Sequence, residues 1–242
     1  MVTTVGVLAL QGGFHEHLSL LKRAAAHLKD TRPAIWQDKE LSFIEVRNPR
    51  DLSRCDALII PGGESTTIAL AAADCGLLEP LRHFVKIDHK PTWGTCAGLV
   101  LLSEEATATK KGGQELIGGL DVRVQRNHFG RQVQSFIADL ELPFLESIGE
   151  SKAYPGVFIR APVVEKLLTS DGPGSKTGET TAAEVLAVVA QKTPEEDADQ
   201  IVAVRQGNVL GTSFHPELTD DIRMHVWWLD HALTPSFQKE NA

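Results

Sequence analysis

Thr92-Trp93-Gly94-Thr95-Cys96-Ala97-Gly98-Leu99-Val100-Leu101-Leu102 is the stretch on which the fold of this chain turns. Thr92–Thr95 follows Pro91 and reads as a short buried strand, and Ala97–Leu102 continues as a helix, with Cys96 at the junction. A strand passing straight into a helix through Gly-x-Cys-x-Gly has the form of a nucleophile elbow, with cysteine in place of serine. Small residues on either side let the chain turn sharply and lift the side chain out of the sheet. The helix N-terminus offers unpaired N–H groups and the positive end of a dipole, an environment that favours a thiolate and a developing oxyanion. The same residues also suit a buried small thiol in a tight turn, because free cysteine often only packs.

The pattern repeats on the N-terminal side. Residues 5–10 form an apolar run ended by Gln11-Gly12-Gly13, and residues 14–28 carry Leu18, Leu21 and Leu28 at helical spacing. Ala57–Ile60 reads as a second buried strand, stopped by Pro61-Gly62-Gly63, with a helix expected at 66–73. This rhythm predicts a mostly parallel sheet covered on both faces. Beyond residue 119 the character changes to short strand-like runs at 120–124, 132–137, 157–159, 185–190, 201–205 and Val209–Thr212. Gln206-Gly207-Asn208 reads as a hairpin turn between the last two. A closing helix is expected near 220–233 with Asp at its start. Polar stretches at 29–40, 170–181 and 193–199 read as surface insertions within one domain spanning 1–242.

Composition narrows the function. Of 242 residues, 24 are Lys or Arg and 32 Asp or Glu, for a net charge of −8, and no basic cluster interrupts the acidic balance. Nucleic acid is therefore not the expected partner, because phosphate binding needs a local Lys/Arg footprint. The longest apolar runs, 68–73 and 185–190, are too short to span a bilayer. No basic segment precedes the first apolar run, so no signal peptide is expected and the localisation reads as cytoplasmic. Cys55, Cys75 and Cys96 form no paired framework, which argues against structural zinc and for a reducing compartment.

Two further segments bear chemistry. In Ser213-Phe214-His215-Pro216-Glu217, Pro216 biases His215 toward extended backbone, where residues i and i+2 project to one side. Glu217 can then orient one ring nitrogen of His215 and leave the other as a base toward a thiol. Taken alone, His-Pro-Glu equally describes a hydrogen-bonded histidine at a helix entrance. Pro61-Gly62-Gly63-Glu64-Ser65 ends a strand on the side where open α/β sheets collect ligands, although a lone Gly-Gly after Pro is most often just a turn.

Together and in this order, these segments resemble class I (triad) glutamine amidotransferases, and in detail the glutaminase subunits of pyridoxal 5′-phosphate synthases. The resemblance rests on Gly6-Val7-Leu8-Ala9-Leu10-Gln11-Gly12, Pro61-Gly62-Gly63-Glu64-Ser65-Thr66-Thr67, Gly94-Thr95-Cys96-Ala97-Gly98-Leu99, Arg126-Asn127-His128-Phe129-Gly130-Arg131-Gln132, Phe158-Ile159-Arg160-Ala161-Pro162 and Ser213-Phe214-His215-Pro216-Glu217-Leu218. It spans about residues 4–233.

The resemblance implies a flavodoxin-like three-layer α/β fold with a mixed, mostly parallel central sheet. It implies hydrolysis of L-glutamine to L-glutamate and ammonia, with no cofactor and no metal, the ammonia passing to a separate (β/α)8-barrel synthase subunit for vitamin B6 biosynthesis. Carried over, Cys96 is the nucleophile, His215 the base and then acid, and Glu217 its orienter. Gly63, Glu64, Ser65, Arg126, Ile159 and Arg160 bind glutamine, with Arg131 a weaker candidate, and the backbone at Gly12 and Ala97 forms the oxyanion hole. An Arg fork suits the α-carboxylate of glutamine, although either arginine alone would read as an ion pair. The family's oxyanion loop tends to be completed by the synthase, so low activity is expected of the isolated subunit.

Other readings stay weighed. A different triad amidotransferase or a γ-glutamyl hydrolase would share the elbow and His-x-Glu, but would not be expected to show Gly-Gly-Glu-Ser-Thr-Thr. A regulatory module without turnover would not need Cys96, His215 and Glu217 together. His15 and His17 have strand-like metal spacing at a helix start, where i and i+2 diverge, and are assigned instead to the family's partner surface. Cys55 and Cys75 read as core thiols, one of Trp227 and Trp228 as core, and 195–197 as a solvated acidic loop. Trp93 stands where a smaller apolar residue or Phe is expected, and the three insertions suggest a eukaryotic version.

Overall fold

In the computed structural model, residues 2–107, 113–126, 135–149, 152–168, 182–190 and 199–234 are described. In chain order the elements are β1 (Thr3–Leu8), α1 (Phe14–Thr31), α2 (Pro33–Trp36), β2 (Leu41–Val46), α3 (Pro49–Leu52), β3 (Ala57–Ile60), α4 (Ser65–Asp74), α5 (Leu78–Lys86), β4 (Thr92–Thr95), α6 (Ala97–Leu102) and β5 (Ser103–Thr107). They continue with β6 (Leu120–Gln125), β7 (Phe136–Leu140), β8 (Tyr154–Phe158), β9 (Val163–Leu167), β10 (Glu184–Val189), β11 (Gln200–Gln206), β12 (Val209–Thr212) and α7 (Arg223–Leu233), with short 3₁₀ turns at Pro143–Ile148 and Pro216–Leu218.

The main sheet runs β2-β1-β3-β4-β12-β11-β9-β6-β5, with β10 paired on β11. Its first five strands are mutually parallel. β11 is antiparallel to β12, β10 and β9, and β6 is antiparallel to β9 and parallel to β5. The fold is the expected mixed α/β sheet flanked by helices. Strands β3 and β4 are buried at every position, as both-face coverage requires. Two apolar clusters lie on the two sides: one gathers Leu21, Leu28, Trp36, Trp228 and Leu229 from α1, α2 and α7, the other Ile68, Leu81, Phe84 and Leu99 from α4, α5 and α6.

Several boundaries differ from the sequence reading, each for a physical reason. The stretch 29–40 lies mostly at the surface, as expected, but it is helical and anchored: α1 continues to Thr31, and α2 follows with Pro33 in its first turn. Trp36 is fully buried, its Nε1 donating to Asp230 Oδ1 at 3.0 Å, while the same carboxylate takes Arg32. Trp36→Ala is expected to lower unfolding free energy by about 3–5 kcal/mol, read from denaturant melts. Periodicity also missed β2, an edge strand of mixed burial, and α5, whose Pro80 sits in the first turn where a missing N–H costs little. The closing helix begins at Arg223, not near Asp220.

Val157 and Phe158 end β8, with Ile159 just beyond it, and β8 pairs antiparallel with β7 in a separate two-stranded sheet. Cys55 is buried as expected, whereas Cys75 is exposed after α4. Both Trp227 and Trp228 are buried, not one of them. The insertion at 170–181, residues 193–198 and the block 127–132 lie outside the described residues, and with them Arg131.

Candidate active site

Parallel strands β1, β3, β4 and β12 are neighbours, so the loops leaving their C-terminal ends meet along one edge of the sheet. Those loops carry Gln11–Gly13, Gly62–Ser65, Cys96 and His215–Glu217. Register does the alignment: Gly211 faces Gly94 and Thr212 faces Thr95, so Cys96 and His215 leave adjacent strands a few residues later. The Cys96 N–H donates to Thr212 O at 2.7 Å and the His215 N–H to Val157 O at 2.8 Å, which pins both backbones.

Cys96 has φ 48° and ψ −100°, a conformation a non-glycine residue adopts only under constraint. The constraint is close packing. A Cβ at Gly98 would lie 2.1 Å from Ile60 O, and one at Gly94 2.4 Å from the Gly98 carbonyl carbon. Glycine at both positions therefore lets α6 press onto β3 and β4. Ala97 opens α6, so its N–H has no intrahelical acceptor. Gly12 has φ +97°, and a Cβ there would fall 1.7 Å from Gly62 O, so this turn is stacked directly on the Gly62-Gly63 turn.

His215 Nδ1 lies 2.7 Å from Glu217 Oε1, both side chains being nearly buried. This leaves Nε2 free on the side of Cys96, which lines the same cavity. Burial pulls the imidazole down, but its interactions with Cys96 and Glu217 outweigh it and push the pKa up to about 10. A raised histidine contributes stability that is full below its unfolded value near 6.5 and is lost as pH rises through about 10. The melting temperature is thus expected to decline between those pH values, and to decline less in Cys96→Ala, which removes one of the raising partners.

A cavity of about 340 Å³ opens over this pair. Gly63, Glu64, Ser65, Arg126, Ile159 and Arg160 line it together with Cys96, Ala97 and His215. Glu217 stands behind His215, and Gly12 is not among the lining residues but packs against Gly62 next to the lining Gly63. Glu64 also caps α4, accepting from the N–H groups of Thr66 and Thr67. Burial opposes its charge, but the bonds from Thr67 and Thr66 outweigh it and hold its carboxyl below the usual range. Arg126 bridges Glu64 Oε1 at 3.1 Å and Thr66 Oγ1 at 3.2 Å, and its side chain is 13% exposed, so it is presented to the cavity by fixed partners.

Sequence reasoning did not place three further neighbours in the site, and gave His17 to a partner surface. Gln11 lines the cavity and takes the Glu64 N–H on Oε1 at 2.8 Å. Gln114 accepts from both Ser65 and Thr66 hydroxyls. His17 is fully buried against Glu217, not on a partner surface, while His15 is exposed near Glu45. Its place on the same face as Leu21 and Leu28 was the available signal. The two histidines diverge as the helix spacing requires, and among the described residues no group of three or more His, Cys, Asp or Glu side chains is arranged to hold a metal ion.

Comparison with known proteins fits this arrangement. The profile of the SNO glutamine amidotransferase family matches residues 7–234. The chain is 44% identical to a probable pyridoxal 5'-phosphate synthase subunit PDX2 of Arabidopsis thaliana, over 93% of this chain and 84% of that one. It is 40% identical to the pyridoxal 5'-phosphate synthase subunit PdxT of Thermococcus onnurineus, over 95% and 98%. A solved glutamine amidotransferase superposes with a TM-score of 0.70 at 40% identity, covering 95% of this chain and 99% of that one. With the family profile matched over residues 7–234 and relatives 40–44% identical over nearly the whole length, the chain belongs to the SNO glutamine amidotransferase family.

Proposed function

We propose that this chain, acting as one amidotransferase domain, hydrolyses L-glutamine to L-glutamate and ammonia and delivers the ammonia to the synthase subunit of a pyridoxal 5′-phosphate synthase. The observation that carries the reading is that Cys96 and His215, the latter held by Glu217 at 2.7 Å, line one cavity with Glu64, Ser65 and Arg126. In the reaction the thiol proton lies on His215 Nε2, as the raised pKa of that ring favours, and the Cys96 sulfur attacks the side-chain amide carbon. The tetrahedral oxyanion is met by the N–H of Ala97 and the backbone of the Gly12 turn. His215 then gives its proton to the departing nitrogen, the C–N bond breaks, and a γ-glutamyl thioester and ammonia result. Water, deprotonated by His215, adds to the thioester and releases glutamate and the restored thiol. Arg126, with Arg160 at the rim, supplies positive charge for the substrate α-carboxylate, and Ser65 and the Gly63–Glu64 backbone hold its polar end.

The partner expected is a (β/α)8-barrel subunit, and the cytoplasm is the expected compartment. Among the described residues no helix is long and apolar enough to cross a membrane. The test is glutamate release from L-glutamine by the purified chain, with and without such a synthase subunit. Turnover that appears on adding the partner supports the reading, and substantial turnover by the chain alone overturns the requirement for the partner. Glutamine binding without turnover under both conditions would favour a regulatory module.

A further inference from the structure

Behind Glu217 lies a second run of polar groups that the proposed chemistry does not use. His17 of α1, His225 of α7 and Thr95 of β4 are all fully buried. His17 Nδ1 is 2.9 Å from His225 Nε2, and His17 Nε2 stands 3.3 Å from Thr95 Oγ1 and 3.4 Å from Glu217 Oε2. Glu217 Oε1 is taken by His215, whereas Oε2 has no hydrogen-bonding partner among the described residues, and neither does His225 Nδ1.

These contacts select the tautomers. Were His225 protonated on Nδ1, its Nε2 would accept from His17 Nδ1–H, and a bare His17 Nε2 would face the carboxylate, lone pair against lone pair. The alternative has His225 Nε2–H donating to His17 Nδ1 and His17 Nε2–H aimed at Glu217. Every donor then points toward the triad. The Trp93 ring packs edge-on at 5.8 Å from His17 and 5.0 Å from His225, filling the space around the pair.

We propose that His17 is a positioning residue: its Nε2–H, held in that tautomer by His225, clamps Glu217 Oε2 and so keeps Oε1 on His215. The assignment rests on the glutaminase reading above for its consequence in turnover. At 3.4 Å the contact is longer than a tight hydrogen bond, as catalytic contacts often are before substrate binds. Burial holds the His17 and His225 rings below the ordinary histidine range, which keeps both neutral. Burial would raise the Glu217 carboxyl, but His17 and His215 outweigh it and hold it low. The other titratable or charged groups facing this line are Cys96 beside His215, Glu16 beside His17, Arg23 beside His225 and Tyr154 beside Glu217.

The test uses the full-length protein. In ring-nitrogen NMR of the wild type, His17 is expected as the Nε2–H tautomer, and an Nδ1–H tautomer overturns the proposal without any mutation. Carboxyl-carbon NMR then follows Glu217 through pH in wild type, His17→Asn and His17→Gln. Asn keeps a group toward His225 but is too short for Glu217, whereas Gln reaches it. Losing the donor disfavours the charged carboxylate, so His17→Asn is expected to raise the Glu217 midpoint by about one unit. With the synthase subunit present, the acid limb of kcat shifts the same way and kcat falls about tenfold, KM staying nearly level, as expected for a mispositioned base. His17→Gln restores most of both. An unshifted Glu217 midpoint in His17→Asn, or activity lost only in proportion to folded protein, overturns it. Absence of turnover in wild type sinks the glutaminase reading alone, because the tautomer and the titration are read on the isolated chain.

Discussion

Cys96→Ala is expected to abolish glutamate release, by at least about 10⁴-fold in kcat, while leaving glutamine affinity nearly intact. The two halves of that result come from different parts of the site. Without sulfur no thioester forms, and water held in the same place lacks both the nucleophilicity and the fixed geometry of the thiol. The groups proposed to bind glutamine sit on separate elements: Glu64 and Ser65 at the start of α4, Arg126 after β6, and Arg160 after β8. None depends on the sulfur for its placement. Alanine also keeps a Cβ at the positive-φ elbow, so the strained turn meets the same constraint as in wild type. Single-turnover glutamate release and equilibrium binding of glutamine in the presence of the synthase subunit measure both. Retained turnover would remove Cys96 from its proposed role.

Glu217→Gln is expected to lower kcat by about 10³–10⁴-fold with a small change in KM. The carboxylate accepts from His215 Nδ1 at 2.7 Å, which fixes the proton on that nitrogen and frees Nε2 as base. A glutamine of the same shape can turn its NH₂ toward Nδ1, selecting the tautomer whose proton sits on Nε2, where it faces Cys96 and cannot accept. The substitution also removes the charge that stabilises the imidazolium formed during reaction, so the pKa of His215 falls from about 10. Glu217 does not line the cavity, which is why substrate affinity should change little. A fall in affinity equal to the fall in turnover would assign Glu217 to substrate binding instead.

Much of this was legible in the chain alone, because local patterns carried it. Gly94-Thr95-Cys96-Ala97-Gly98 between an apolar strand and an apolar helix specifies a turn whose geometry follows from which residues lack a Cβ, and the structure places Cys96 at φ 48° there. His215-Pro216-Glu217 put the two side chains on one side through backbone restriction over two residues. Alternating strands and helices before residue 103 implied the parallel half of the sheet. Elements with weaker local signals were lost: β2 is an edge strand without a continuous apolar run, and the stretch around Trp36 has a polar composition that conceals a tryptophan buried by helices distant in sequence.

Tertiary structure alone decided the neighbourhoods. Nothing in the sequence says that β12, formed more than a hundred residues after β4, inserts beside it, yet that pairing brings Cys96 and His215 together. Nor does His17 announce itself: it is a polar residue on an otherwise apolar helix face, and its meaning came from α1 and α7 closing over the same end of β4. The physical reason is one of range. Steric turns, caps and hydrophobic periodicity act over a few residues and can be read in order along the chain. Sheet order and the desolvation of groups such as His17, His225 and Glu217 depend on contacts between distant segments, and these exist only once the chain has packed.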